Sequence, residues 1–131
     1  NDFSARDYLQ REQLDIRSPF KYDWIGQKSF DGSCPLGPWL TPLDDVEDIQ
    51  SLPIKLWVND TLRQDSTTRN MIFTAAEQLV QLSSRLTLYP GDVIMTGTPA
   101  GTGAESGEFL NHGDVVKIQI GELGELVNRV G

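Results

Sequence analysis

The sequence is poor in the residues that build covalent or soft-metal frameworks. It has one cysteine, Cys34, and one histidine, His112, in 131 residues. A single thiol excludes an internal disulfide framework and any multi-thiolate metal site, so Cys34 reads as a small apolar side chain. No apolar run approaches the roughly 20 residues that a membrane-spanning helix needs. Positive charge is scarce as well: 11 Lys and Arg stand against 19 Asp and Glu, a formal net charge of -8. Without a basic run nothing is arranged to neutralise phosphates, and neither a nucleic acid nor an anionic membrane is expected as a partner. A cytoplasmic setting fits this composition best.

The length suits one domain with its own core, and residues 1–131 are expected to form it. The chain starts at Asn1 and enters a motif-like stretch at once, which is expected of a segment of a longer polypeptide. In that stretch, Asn1-Asp2-Phe3-Ser4-Ala5-Arg6-Asp7, Ser4 is followed three residues later by Asp7. This capping-box-like signal predicts a helix over residues 5 to about 13. Asp2 would precede its N-terminus, where a carboxylate serves the helix dipole or offers oxygens to a cation. Arg6 and Gln10, four apart, would share a face and present a guanidinium and an amide to a carboxylate-bearing substrate. A capped surface helix with ordinary charges would read the same way.

Lys28 falls in a Gly- and Pro-rich stretch that reads as an irregular loop leading to a short strand near Trp39 and Leu40. Ile54, Leu56 and Val58 alternate with polar or amphipathic neighbours as a half-buried strand does, and Asn59-Asp60 supplies a hairpin turn. Residues 64–70 are wholly polar and read as a loop. Thr74 and Glu77 make a second capping-box pattern ahead of Leu79, Leu82 and Leu86, predicting a helix that ends near Thr87. Val93 to Thr96 reads as a short apolar strand, residues 115–120 as a longer one, and residues 125–130 as its hairpin partner. Two helices among several strands predict an α+β domain on a mixed or antiparallel sheet.

Three further places could carry chemistry. Thr96-Gly97-Thr98-Pro99-Ala100-Gly101 follows a predicted strand and has two glycines that let backbone approach a ligand, with the Thr98 hydroxyl between them. A phosphate cradle is disfavoured, because Gly101-Thr102-Gly103 with Gly107 misses the dinucleotide spacing by one and no helical pattern follows. Lys28 reads equally as a functional cation and as a solvated loop lysine. His112, ahead of a Gly-Asp turn, reads as a surface turn residue because no neighbour is arranged to tune it.

Taken together and in order, three segments resemble the fumarylacetoacetate hydrolase family. They are the opening seven residues, Lys28-Ser29-Phe30-Asp31 with Cys34-Pro35-Leu36-Gly37-Pro38-Trp39, and Pro90-Gly91-Asp92-Val93-Ile94 with residues 96–101. The resemblance covers essentially the whole chain. It implies a mixed β-sheet roll with two helices, usually a homodimer, and residues 1–131 as the C-terminal part of a longer catalytic domain. It also implies a metal-dependent enzyme acting on small 2-oxo acids, using Mg²⁺ or sometimes Mn²⁺ or Ca²⁺. Asp2 matches a family metal ligand, Lys28 the active-site lysine, Arg6 a catalytic and substrate contact, and Thr98 a substrate-binding threonine. The family glutamine often lies at the position of Leu9, so Gln10 is a displaced candidate for substrate binding. The family's paired glutamate ligands and its water-activating histidine-glutamate pair lie upstream and have no counterpart here.

The activity implied first is hydrolysis of a carbon-carbon bond in acylpyruvates or related 2,4-dioxo acids through a metal-stabilised enolate. A lyase or isomerase of 2-oxo acids, such as an oxaloacetate-type decarboxylase, a sugar-acid dehydratase or a hydroxymuconate-type isomerase, uses the same residues. A scaffold fragment without chemistry is the reading from a different class.

Overall fold

The computed structural model describes residues 1–131. The chain divides into two compact units, Asn1–Gly37 and Pro38–Gly131, each described by itself.

The first unit contains no strand ladder and no α-helix. The helix predicted over residues 5 to 13 is replaced by a single 3₁₀ turn, Arg6–Tyr8, and no side chain caps its start. The backbone groups that would prolong a helix are taken elsewhere. Leu9 O accepts the Asp23 amide at 2.8 Å, the Arg11 amide donates to Lys21 O at 2.9 Å, and Gln10 bridges Tyr22 in antiparallel fashion. A helix nucleus of one turn is costly, and this crossing competes for the same amides, so tertiary pairing overrides the local capping signal. Lys21 closes the crossing: it is buried, and its Nζ donates to Arg11 O and Leu14 O, each at 3.0 Å. The rings of Tyr22 and Trp24 lie 5.8 Å apart.

The second unit is built on a four-stranded antiparallel sheet of order β2-β1-β3-β4, with β1 Pro53–Val58, β2 Thr61–Thr67, β3 Val115–Ile120 and β4 Glu125–Arg129. β1 and β2 form the hairpin predicted at Asn59-Asp60, and Asn59 takes a positive φ of 54° there, a conformation that Asn tolerates. Val116, on central β3, is 2% exposed and marks the buried centre of the sheet.

β2 corrects the loop reading for residues 64–67, and Thr68–Asn70 forms a 3₁₀ turn. Polar side chains do not prevent a strand whose backbone pairs with a neighbour, and an edge strand tolerates them on both faces. Conversely, the predicted strands at Trp39-Leu40 and Val93-Thr96 do not form, because neither segment acquires a ladder partner.

Helix α1, Ala75–Ser83, carries the predicted capping box, with Thr74 Oγ1 accepting the Glu77 amide and the Glu77 carboxylate accepting the Thr74 amide. It ends at Ser83 rather than near Thr87, where the Ser83 and Ser84 hydroxyls turn back onto Val80 O and Gln81 O. A second helix of one turn, α2 Gly103–Ser106, occupies a stretch read as non-helical. One antiparallel sheet and two helices make the expected α+β class.

Candidate active site

Residues 1–5 run as a strap along residues 27–35. The Asn1 amino group donates to Pro35 O at 3.0 Å, the Phe3 amide to Ser33 O at 2.9 Å and the Ala5 amide to Gln27 O at 2.9 Å. Alternate residues of the strap are spent on this pairing, and Asp2 between them meets Lys28. Lys28 Nζ lies 2.8 Å from Asp2 Oδ1 and donates to Asp2 O at 3.2 Å. Asp2 is exposed and Lys28 half-buried, so the pair is open to solvent on one side.

The turn that presents Lys28 is stiffened from behind. Asp23 Oδ1 accepts the Gly26 amide at 2.7 Å, Asp23 Oδ2 pairs with the Arg11 guanidinium at 2.8 Å, and the Lys28 and Ser29 amides both donate to Ile25 O at 2.9 Å. A Cβ on Gly26 would come within 2.9 Å of the Asp23 carboxylate, so the close turn requires glycine. The Gly26 amide first, and the Arg11 guanidinium next, hold the Asp23 carboxyl below its ordinary value of 3.8. Its folded pKa is thus lower than its unfolded one. The stabilisation it provides is full above about pH 4 and is lost as pH falls through the folded value. An Asp23→Asn variant is therefore expected to be less stable at neutral pH, with a shallower loss as pH falls below about 4, in urea titrations across the acid range. Parallel pH profiles for the two proteins would overturn this role.

Arg6 and Gln10 do not share a helix face, because no helix forms there. Both are exposed, Arg6 on the 3₁₀ turn and Gln10 on the bridge to Tyr22. In the second unit, Gln64 on β2 is 6% exposed and its Nε2 donates to Thr98 Oγ1 at 2.9 Å and to Pro99 O at 2.7 Å. The two glycines flanking Thr98 behave differently. Gly97 has a φ of +104° with open space around its Cα, whereas Gly101, at φ +100°, sits so close to β2 that a Cβ would stand 2.0 Å from Arg63 O. Gly101 serves the seating of the loop on the sheet rather than the approach of a ligand. His112 is an exposed turn residue, as read.

Sequence reasoning missed Gln64, Arg11 and Asp23. Gln64 was hidden in a stretch taken for a loop. Asp23-Trp24-Ile25-Gly26 did carry a signal, since Asp at the first and Gly at the fourth position favour a tight turn.

The residues of this chain alone do not fit a hard divalent cation. No group of three or more His, Cys, Asp or Glu side chains is close enough to hold one. Asp2 contributes at most two oxygens where such an ion takes about six, and its carboxylate already faces the Lys28 ammonium.

Comparison with known proteins places this geometry in a family. The chain is 41% identical over 132 aligned residues to the human protein named oxaloacetate tautomerase FAHD2B, mitochondrial, covering 99% of this chain and 40% of that one. It is 42% identical over 104 residues to 2,4-didehydro-3-deoxy-L-rhamnonate hydrolase of Sphingomonas sp., covering 77% and 36%. The crystal structure of maleylpyruvate hydrolase from Sphingobium sp. SYK-6, in complex with manganese(II) ion and pyruvate, superposes with a TM-score of 0.75 at 40% identity, covering 81% of this chain and 38% of that one. The chain thus spans about 40% of the length of the curated relatives it matches. The family model described as fumarylacetoacetate (FAA) hydrolase C-terminal matches residues 1–131, from the first residue to the last; the chain belongs to the fumarylacetoacetate hydrolase family.

Proposed function

We propose that residues 1–131 are the C-terminal part of a longer catalytic domain, and that they carry the anion-binding side of an enzyme that enolises a small 2-oxo acid. The observation that carries the reading is the Lys28 ammonium, fixed beside the strap on a turn braced by Asp23. A cation held in place needs no reorganisation to stabilise an oxygen on which charge builds. In this reading Lys28 faces the carbonyl oxygen as it becomes an enolate, and Arg6 adds a second positive charge for the substrate carboxylate. Thr98 accepts from Gln64, which leaves its own proton to donate to the substrate acid. Gln10 is a peripheral substrate contact from the same segment as Arg6.

Hydrolysis of the carbon-carbon bond in acylpyruvates or related 2,4-dioxo acids is the activity we assign, supported by the maleylpyruvate hydrolase and rhamnonate-derivative hydrolase among the relatives. Keto-enol tautomerisation of oxaloacetate is the second reading, favoured by the human relative that matches 99% of the chain. A divalent cation is the proposed cofactor, Mg²⁺ or else Mn²⁺ or Ca²⁺, with Asp2 as its ligand from this chain and the others from residues outside it. The manganese of the maleylpyruvate hydrolase complex supports a divalent ion. The proposed assembly is a homodimer. No helix is long and apolar enough to cross a membrane; the cytoplasm is the proposed location, with the mitochondrion of the human relative as the alternative.

Incubating the full polypeptide, with Mg²⁺ or Mn²⁺ added, with acetylpyruvate and with oxaloacetate tests this. Release of pyruvate and acetate from acetylpyruvate is the expected result. Enol-keto interconversion of oxaloacetate without cleavage of either compound would replace it by the second reading. Inertness toward both would overturn the enzymatic assignment and leave a non-catalytic scaffold.

A further inference from the structure

The apolar side of α1 is not packed on the sheet. Gln78 and Leu82 stand four apart on the helix, and Leu86 continues the row one turn further, its amide donating to Leu82 O at 2.9 Å. With Val93 and Met95 of the following segment they line a groove of about 850 Å³. Leu86, Val93 and Met95 keep more than half of their surface exposed, and none of the four strands runs along α1. A helix of nine residues does not persist in water by itself, because isolated helices shorter than about 12 to 15 residues are marginal there. Its apolar side therefore needs a cover.

Polar groups at the groove are engaged locally. The Glu77 carboxylate accepts the Thr74 amide, Asp92 Oδ2 accepts the Tyr89 amide, and Gln78 Nε2 donates to Phe73 O. Little remains to orient a small polar ligand, so the groove suits an apolar stretch of polypeptide. We infer that its occupant is a segment of the same polypeptide preceding Asn1, so that the upstream part of the longer domain shares a core with residues 1–131 at α1. The inference rests on that longer domain, as proposed above. The human relative has more chain outside the matched region than within it, and the matching family model is the C-terminal one. The exposed surface calls for a large cover. Residues 1–131 expose 9897 Å², whereas two separate globular bodies of the size of the two units would expose about 8,200 Å² together. The excess, about 1,700 Å², is twice the roughly 800 Å² that one partner gives to a standard interface. A second copy seated through the same groove would bring Glu77 and Asp92 against their own images, on a chain of net charge -8, and this repulsion disfavours it as the occupant.

The test is photo-crosslinking in the full polypeptide, with Gln81→benzoylphenylalanine at the groove and Ser84→benzoylphenylalanine outside it. Adducts are mapped by mass spectrometry in a mixture of isotope-labelled and unlabelled protein. Adducts from position 81 to peptides preceding Asn1 are expected, and few from position 84. Adducts joining residues 1–131 of two copies would give the groove to a second copy and overturn the inference, as would equal yields from the two positions. Hydrogen exchange of the unsubstituted polypeptide keeps the test valid should the variants misfold. The α1 amides are expected to exchange at least about 10²-fold more slowly than those of a free peptide, unchanged on dilution. Exchange at the free-peptide rate, or protection lost on dilution, would overturn the inference. Intact mass separates it from the reading on which it rests. A mass matching 131 residues overturns the longer domain and the inference together, whereas a longer polypeptide with α1 uncovered overturns the inference alone.

Discussion

Lys28→Met is expected to lower turnover of the 2-oxo acid substrate by about 10² to 10³-fold, the usual loss when one preorganised donor to a developing oxyanion is removed. The fold should survive. Lys28 and Asp2 keep 33% and 46% of their side-chain surface exposed, and an exposed pair contributes about 0 to 1 kcal/mol to stability. The turn itself is held by backbone bonds to Ile25 O and by the Asp23-Gly26 bond, none of which uses the lysine side chain. Steady-state kinetics with circular dichroism on the same sample check this, and the partition of the loss is informative. A fall in kcat with little change in KM places the lysine at the reacting oxygen, whereas a rise in KM alone makes it a binder of the substrate carboxylate. Unchanged kcat and KM would remove Lys28 from the site.

The fold and the site were legible in the sequence to different depths, for physical reasons. β1, β3 and β4 could be read because alternating apolar residues and turn chemistry are local signals, and α1 because its capping box is self-contained within residues 74–77. β2 was not legible: its polar side chains say loop, and only the pairing of its backbone with β1 makes it a strand. The false helix over residues 5–13 is the same lesson reversed. The Ser4-Asp7 pattern forms no side-chain cap, and Lys21 and Asp23, ten and fourteen residues along the chain from their partners, claim the backbone groups of Arg11 and Leu9. The ordered motifs point to Asp2, Lys28 and Thr98 as candidates, and the structure adds what holds each of them within its own unit. The Arg11-Asp23 pair behind Lys28 and the Gln64-Thr98 bond lie across distances in sequence that periodicity cannot span, whereas the Asp23-Gly26 turn is local and carried a signal of its own.

The brace behind Thr98 predicts the largest loss of stability. Gly101→Ala places a methyl group 2.0 Å from Arg63 O and 3.2 Å from Gln64 Cγ, at a φ of +100° that L residues rarely adopt. The left-handed backbone alone costs about 1 to 3 kcal/mol. Relief of the clash requires the loop to lift from β2, which breaks the Gln64 bonds to Thr98 Oγ1 and Pro99 O and leaves a buried amide unsatisfied for about 1 to 3 kcal/mol more. The sum, roughly 2 to 6 kcal/mol, corresponds to a fall in Tm of several °C or more in a domain of this size. Gly97→Ala is the internal control. Its φ of +104° carries the same backbone penalty, but nothing lies within 4 Å of the added methyl group, so its loss should stay within the backbone term. Calorimetry on the two variants therefore reads the seating of the loop directly: a Gly101 variant no less stable than the Gly97 variant would mean that β2 does not carry the loop. Because Thr98 lies between the two glycines, the Gly101 variant should also raise KM for the substrate at temperatures where it remains folded, and the Gly97 variant should do so less.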